Sequence, residues 1–152
     1  MSLKPRLLSL FALLGFVSCT SVEVDPLPPG LDRVLVVENE KVIVPDFLEF
    51  LRESFEEHGV ATDVIRMASD GIGHPTLTYT ALRSWDVTTY LSEAEIVVKH
   101  RGEQIGYAKY SLVGKGGLDF SKFSSMESKM EPVYRELLQN YPREAAATAD
   151  EK

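Results

Sequence analysis

Apolar positions along this chain come in short runs with two different periods. Leu7 to Val17 is a continuous apolar stretch of about a dozen residues, too short to span a bilayer as a helix. Arg33 to Glu38, RVLVVE, is a β-branched run without alternation, the pattern of a strand buried on both faces and central in its sheet. Asn39 to Val44 reads either as a short hairpin partner or as a loop. Pro45 then opens a predicted helix over 45–58, with Asp46 in its first turn and Phe47, Leu48, Leu51 and Phe55 on one face. Gly59 after His58 ends it. Val60 to Met67 predicts a second strand, and Ala68 to Pro75 is turn chemistry.

Thr76 to Trp85 alternates. Leu77, Tyr79, Ala81 and Trp85 fall on one side, and Thr76, Thr78 and Thr80 on the other. Val87 to His100 continues the strand chemistry past a turn or bulge at Trp85-Asp86-Val87. Arg101-Gly102 predicts a hairpin turn into a last strand over Gln104 to Val113. Gly114, Gly116 and Gly117 form a flexible connection, and Ser124 with Glu127 has capping-box spacing. Met126, Met130, Val133, Leu137 and Tyr141 then recur at helical spacing, with Pro132 expected to remove one hydrogen bond and kink the helix.

The expected architecture is α+β: a two-layer sandwich in the order βαβββα. An antiparallel or mixed sheet of about four strands carries two helices on one face. Thr76, Thr78 and Thr80 would lie on the open face. The expected organisation is a leader over 1–18, a Pro-rich spacer over 19–31, one α+β domain over 32–141 and a disordered tail over 142–152.

The first twenty residues resemble the signal of bacterial lipoproteins. Lys4 and Arg6 precede the apolar run, and Phe16-Val17-Ser18-Cys19 matches a lipobox apart from Phe16, where that family usually has Leu. The resemblance implies cleavage before Cys19 and acylation of that residue, the chain's one cysteine. An ordinary signal peptide with an incidental Cys19 is the competing reading. Thr20 stands where Asp tends to retain such proteins at the inner membrane, so the resemblance implies the outer membrane, periplasmic side.

Charge narrows the partners. The whole chain carries −7, and the leader would remove Lys4 and Arg6 but no acid. A chain this acidic has no electrostatic reason to bind nucleic acid, so acyl chains rather than charge would hold it to a membrane. A single, lipidated cysteine also leaves nothing for a disulfide.

Candidate chemistry is sparse. His58, His74 and His100 lack metal-ligand spacing, and no Gly-x-Ser-x-Gly element is present. His74 and Asp70, in the turn-rich loop, are minor site candidates against a plain turn. Gly114-Lys115-Gly116-Gly117 lacks phosphate-loop spacing and has Asp119 beside it. Glu53, Glu56 and Glu57 read as a solvated helix face. Tyr79, Trp85, Tyr90, Tyr107 and Tyr110 form an aromatic set on neighbouring strands. Cross-strand packing is the default for them, and an exposed patch for a protein partner is the alternative. No catalytic residue, metal or cofactor is expected.

A second resemblance covers about half the chain. Tyr79-Thr80-Ala81, Trp85-Asp86, Tyr90-Leu91, Ala94-Glu95-Ile96, Gly102, Gly106-Tyr107-Ala108 with Tyr110, Gly116-Gly117 and Lys122-Phe123 resemble a family of small uncharacterised lipoproteins of Gram-negative bacteria. Those motifs are structural, so the resemblance implies location and fold rather than chemistry. The element order is also similar to that of small accessory lipoproteins of the envelope. The expected function is therefore a non-enzymatic, lipid-anchored accessory or interaction module with an envelope protein partner. A small-ligand or lipid-binding role is the alternative.

Overall fold

A computed structural model describes residues 20–68, 73–85, 88–112 and 124–143. Six strands and two helices follow in the order β1 (Thr20–Asp25), β2 (Arg33–Val37), α1 (Phe47–Glu56), β3 (Ala61–Ile65), β4 (Thr76–Trp85), β5 (Thr89–His100), β6 (Glu103–Leu112) and α2 (Met126–Leu137). The sheet runs β1-β6-β5-β4-β2-β3. It is mixed: β2 is parallel to β3 and β4, and the remaining pairs are antiparallel.

The α+β class is as expected; of the two sheet types expected, antiparallel or mixed, the sheet is mixed, but it has six strands rather than about four, and the order is ββαββββα rather than βαβββα. Thr76 to His100 makes two antiparallel strands rather than one interrupted segment. The other added strand comes from the expected spacer. Thr20–Asp25 pairs residue for residue with Leu112–Tyr107 as an edge strand. Its Ser-Val-Glu-Val-Asp alternation has period two, and Val24 packs against the core while Ser21, Glu23 and Asp25 stay exposed.

The core forms where the inward-facing residues of the sheet meet the helix stripes. Val34 and Val36 of β2, Leu77, Tyr79 and Ala81 of β4, and Ala94, Ile96 and Val98 of β5 are all buried. Phe47, Leu51 and Phe55 of α1 and Met130, Val133, Tyr134 and Leu137 of α2 close over them. Phe47 stacks on Tyr79 with ring centroids 5.7 Å apart. Leu35, on the opposite side of β2, is buried as well, as its unbroken apolar run implies.

The helix ends differ in detail from expectation. Pro45 is not helical, and Asp46 is the N-cap of α1 at φ 59°, with no side-chain cap. The left-handed turn at Asp46 lets both Val44 and Phe47 reach the core. Gly59, at φ 74°, supplies the left-handed stop after His58. The hairpin between β5 and β6 has both Arg101 (φ 53°) and Gly102 (φ 85°) left-handed, the conformation that matches strand twist.

The Pro-rich residues after β1 are fastened to the far end of α2. Leu27 is fully buried, and its N–H donates to the Leu137 carbonyl at 2.9 Å. The Asn140 side-chain amide donates to the Leu27 carbonyl at 2.8 Å. The Tyr141 hydroxyl accepts from Leu31 N–H at 2.9 Å and donates to the Pro28 carbonyl. Arg143, expected in the tail, reaches both Glu57 and Glu131 at 3.0 Å and ties the two helices together. The remainder of that tail and the glycines at 114, 116 and 117 lie outside the described residues.

Candidate functional site

Strand direction decides what shares an end of the sheet. Ser21, Ser111, Glu93 and Leu82 form one row across β1, β6, β5 and β4. Beyond that row, on the same side, lie the start of β1 at Thr20, the end of β6 at Leu112 and the tip of the β4–β5 hairpin at Trp85 and Thr89. Because β2 is parallel to β4, the chain leaving Val37 for α1 also heads to this end.

A groove of about 670 Å³ opens there. It is lined by Val44 to Asp46 at the start of α1, Arg83 and Thr88 to Leu91 of the hairpin, and Ser124 to Glu127 at the start of α2. The Ser125 hydroxyl caps α2 by accepting from Ser128 N–H at 3.2 Å, one residue later than the expected cap. The Ser125 hydroxyl and the Glu127 backbone N–H hold the Glu127 carboxyl below its ordinary range. Ser125→Ala should cost about 1 kcal/mol in urea unfolding, the usual loss for a helix cap. The sign of the pH effect follows. Glu127's folded pKa is depressed, so its contribution is present above the ordinary carboxylate pKa and is lost as pH falls through the folded one. The variant should lose less stability than the parent over that acid limb, and an NMR titration of Glu127 should move toward the ordinary value.

Lys129 is a buried cation near the groove. Its ammonium donates to the Leu91 carbonyl at 3.3 Å and lies 5.4 Å from the Tyr90 ring centroid. Sequence reading missed it. The available signal was its position three residues after Met126, on the apolar stripe of α2.

The aromatic set does not form one patch. Tyr79 and Tyr110 are core residues, 4 % and 3 % exposed. Both occupy inward positions of their strands, so packing rather than recognition explains them. Tyr90 lines the groove. Tyr107 lies on the open face, half-buried between Asp25 and Val97. Burial first, and then the Glu95 carboxylate, push its phenol above the ordinary value. Trp85 alone is fully presented, at 78 % exposure. It shares the strand parity of Leu77, Tyr79 and Ala81, but the hairpin carries it past the sheet row that ends the other strands.

The open face is a charge lattice. Lys109 sits between Glu23 on β1 and Glu95 on β5 in register, and its ammonium lies 3.5 Å from Glu93. Glu93 is the main cause of Lys109's raised pKa. On α1, Arg52 lies between Glu49 and Glu56, and Glu56 accepts from the Thr62 hydroxyl at 2.6 Å. Glu57 is held by Arg143.

Of the histidines, His58 is buried with Nδ1 against the Ser54 carbonyl at 2.7 Å. His100 ends β5, half-buried, and His74 is exposed just before β4. Asp70 and Cys19 lie outside the described residues, though Cys19 directly precedes Thr20 of β1 in the sequence. Among the described residues, no group of His, Cys, Asp and Glu is placed to hold a metal ion.

No protein-family model matches this chain, and no curated protein matches it. Solved structures do. The PelC dodecamer from Paraburkholderia phytofirmans superposes with a TM-score of 0.50 at 14 % identity, covering 76 % of this chain and 98 % of PelC. A leucine-to-methionine variant of the same PelC, in another crystal form, gives the same values. At that identity the likeness is one of fold.

Proposed function

We propose that this chain is a non-enzymatic lipoprotein of the outer membrane, anchored on its periplasmic side through Cys19, that works as an accessory or protein-interaction module. The observation that carries this reading is a juxtaposition. The lipobox-like Cys19 is followed at once by the first strand of the domain, with no spacer between them. A domain attached in that way is held close to the membrane. The first partner to test is a second copy of the chain, because the PelC neighbours are dodecamers. The 670 Å³ groove supports a second reading, binding of a lipid or small ligand between the helix starts and the hairpin.

The deciding experiment is the intact mass of protein taken from separated inner and outer membranes, beside a Cys19→Ala variant. The expected result is a chain beginning at Cys19 with acyl mass in the outer-membrane fraction, and an unacylated variant released from it. An unmodified chain in the soluble periplasm would overturn the anchor. Native mass spectrometry of the same sample reads the copy number. A stoichiometric small molecule released on denaturation would favour the ligand reading.

A further inference from the structure

We infer that the groove between the start of α1 and β4 binds a zwitterionic phospholipid, with the lipid's ammonium at Asp46 and its phosphate at Arg83. The inference rests on the ligand reading of that groove and adds to it the class of ligand and the two residues that select it.

The charged side chains at the groove divide into two kinds. Glu127 and Lys129 are already engaged. Glu127 is held by the Ser125 hydroxyl and by its own backbone N–H. Lys129 donates to the Leu91 carbonyl and lies against the Tyr90 ring. Asp46 and Arg83 both line the groove, and neither side chain makes a hydrogen bond or ion pair among the described residues. They stand on different walls, Asp46 at the start of α1 in the helix layer and Arg83 on β4 in the sheet. The groove thus offers one free charge of each sign.

A ligand that fills the groove takes water from both charges, and a desolvated charge without a partner is strongly unfavourable. A neutral ligand would leave two charges uncompensated, and an anion or a cation would leave one. A zwitterion compensates both. The remaining lining calls for apolar bulk beside the charges. Val44 and Leu91 are buried at the groove, and Tyr90 and Met126 line it as half-buried side chains. Trp85 follows Arg83 by two residues, on the same face of β4, and offers a large ring, 78 % exposed, beside the guanidinium. A free amino acid is zwitterionic too, but a groove of about 670 Å³ holds on the order of twenty water volumes, more than so small a molecule replaces. A phospholipid headgroup with its glycerol and the first acyl carbons supplies both charges and the apolar bulk.

Trp85 is the only tryptophan, so its fluorescence reports on the groove. Full-length protein purified from membranes in maltoside detergent would be titrated with dihexanoyl-phosphatidylethanolamine, after mass analysis of any molecule released from it by denaturation. Dihexanoyl-phosphatidylglycerol keeps the phosphate and the chains but lacks the ammonium. Leucine keeps both signs of charge but lacks the chains. The expected result is saturable binding of the ethanolamine lipid, about fivefold or more tighter than the glycerol lipid. Asp46→Asn, a residue that accepts the left-handed backbone there, should bring the two lipids level. Arg83→Gln should weaken both by about fivefold or more. Parent protein that binds the two lipids equally, or an Asp46→Asn variant that keeps the preference with the parent's urea midpoint, would overturn the inference. Tighter binding of leucine than of either lipid would overturn the lipid as the ligand. A stoichiometric released molecule that is not a zwitterion would overturn the inference and leave the ligand reading standing. Neither a released molecule nor any binding would overturn both.

Discussion

Leu27→Ala should lower the stability of the domain by roughly 2–5 kcal/mol, the range for emptying a fully buried leucine site. Leu27 is the side chain by which the segment between β1 and β2 enters the core. The cavity cannot close easily, because the backbone on either side is fixed. Its N–H donates to Leu137, its carbonyl accepts from Asn140, and Tyr141 bridges Leu31 and Pro28. The opposite wall makes a matched test. Gly106 of β6 leaves the space that Leu27 fills: a Cβ there would lie 2.4 Å from Leu27 Cδ2 and 3.0 Å from Leu27 Cγ. Gly106→Ala should therefore cost about 1–3 kcal/mol through overpacking. The double variant should cost less than the sum of the two, since removing the leucine side chain vacates the space the new methyl needs. Urea unfolding of all four proteins reads this directly. Strict additivity would mean that Leu27 and Gly106 do not share the site.

The same segment shows why part of the fold was hidden in the sequence. Thr76 to Ala81 announced itself through alternation, and Arg101-Gly102 through hairpin chemistry, because both signals are local. Thr20–Asp25 alternates as well, but beside three prolines, Pro26, Pro28 and Pro29, whose composition reads as spacer. What makes it a strand is the free edge of β6, about ninety residues later in the chain, and pattern reading carries no information about that pairing. The helix stripes were legible for the same local reason as β4. The site was legible only in pieces. Trp85 stood out as a residue, but that it shares one end of the sheet with Thr20 at the start of β1 depends on strand order. Alternation did place Tyr79 with Leu77 and Ala81, and that parity puts it in the core. Tyr110 could be assigned only once β6 had a neighbour on each side.

Tyr134→Phe should raise stability, by about 1–3 kcal/mol if the full cost of an unsatisfied buried hydroxyl is recovered. The Tyr134 ring sits at the centre of the helix layer, 1 % exposed, edge-on to Phe50 with centroids 5.6 Å apart. Its hydroxyl has no hydrogen-bond partner among the described residues. The phenylalanine ring keeps the packing and removes the stranded polar atom, so no cavity term opposes the gain beyond the space of one oxygen. Alkaline pH provides an independent check. Burial first, and then the neighbouring Tyr79, push the Tyr134 phenol far above its ordinary value. Its folded pKa is thus above its unfolded one, and its contribution is constant below about pH 10, the unfolded value, and falls as pH rises beyond it. In that range the unfolded chain ionises while the native one stays protonated, a loss that approaches about 1.4 kcal/mol per pH unit. Tyr107 and Tyr141 are also raised, and they titrate alike in both proteins. The stability difference between Tyr134→Phe and its parent should therefore be flat from neutral pH to about 10 and widen above it. Urea unfolding at a series of pH values would show it. A variant that is less stable at neutral pH would mean that the hydroxyl is satisfied after all. A difference that fails to widen above pH 10 would place the phenol in contact with water.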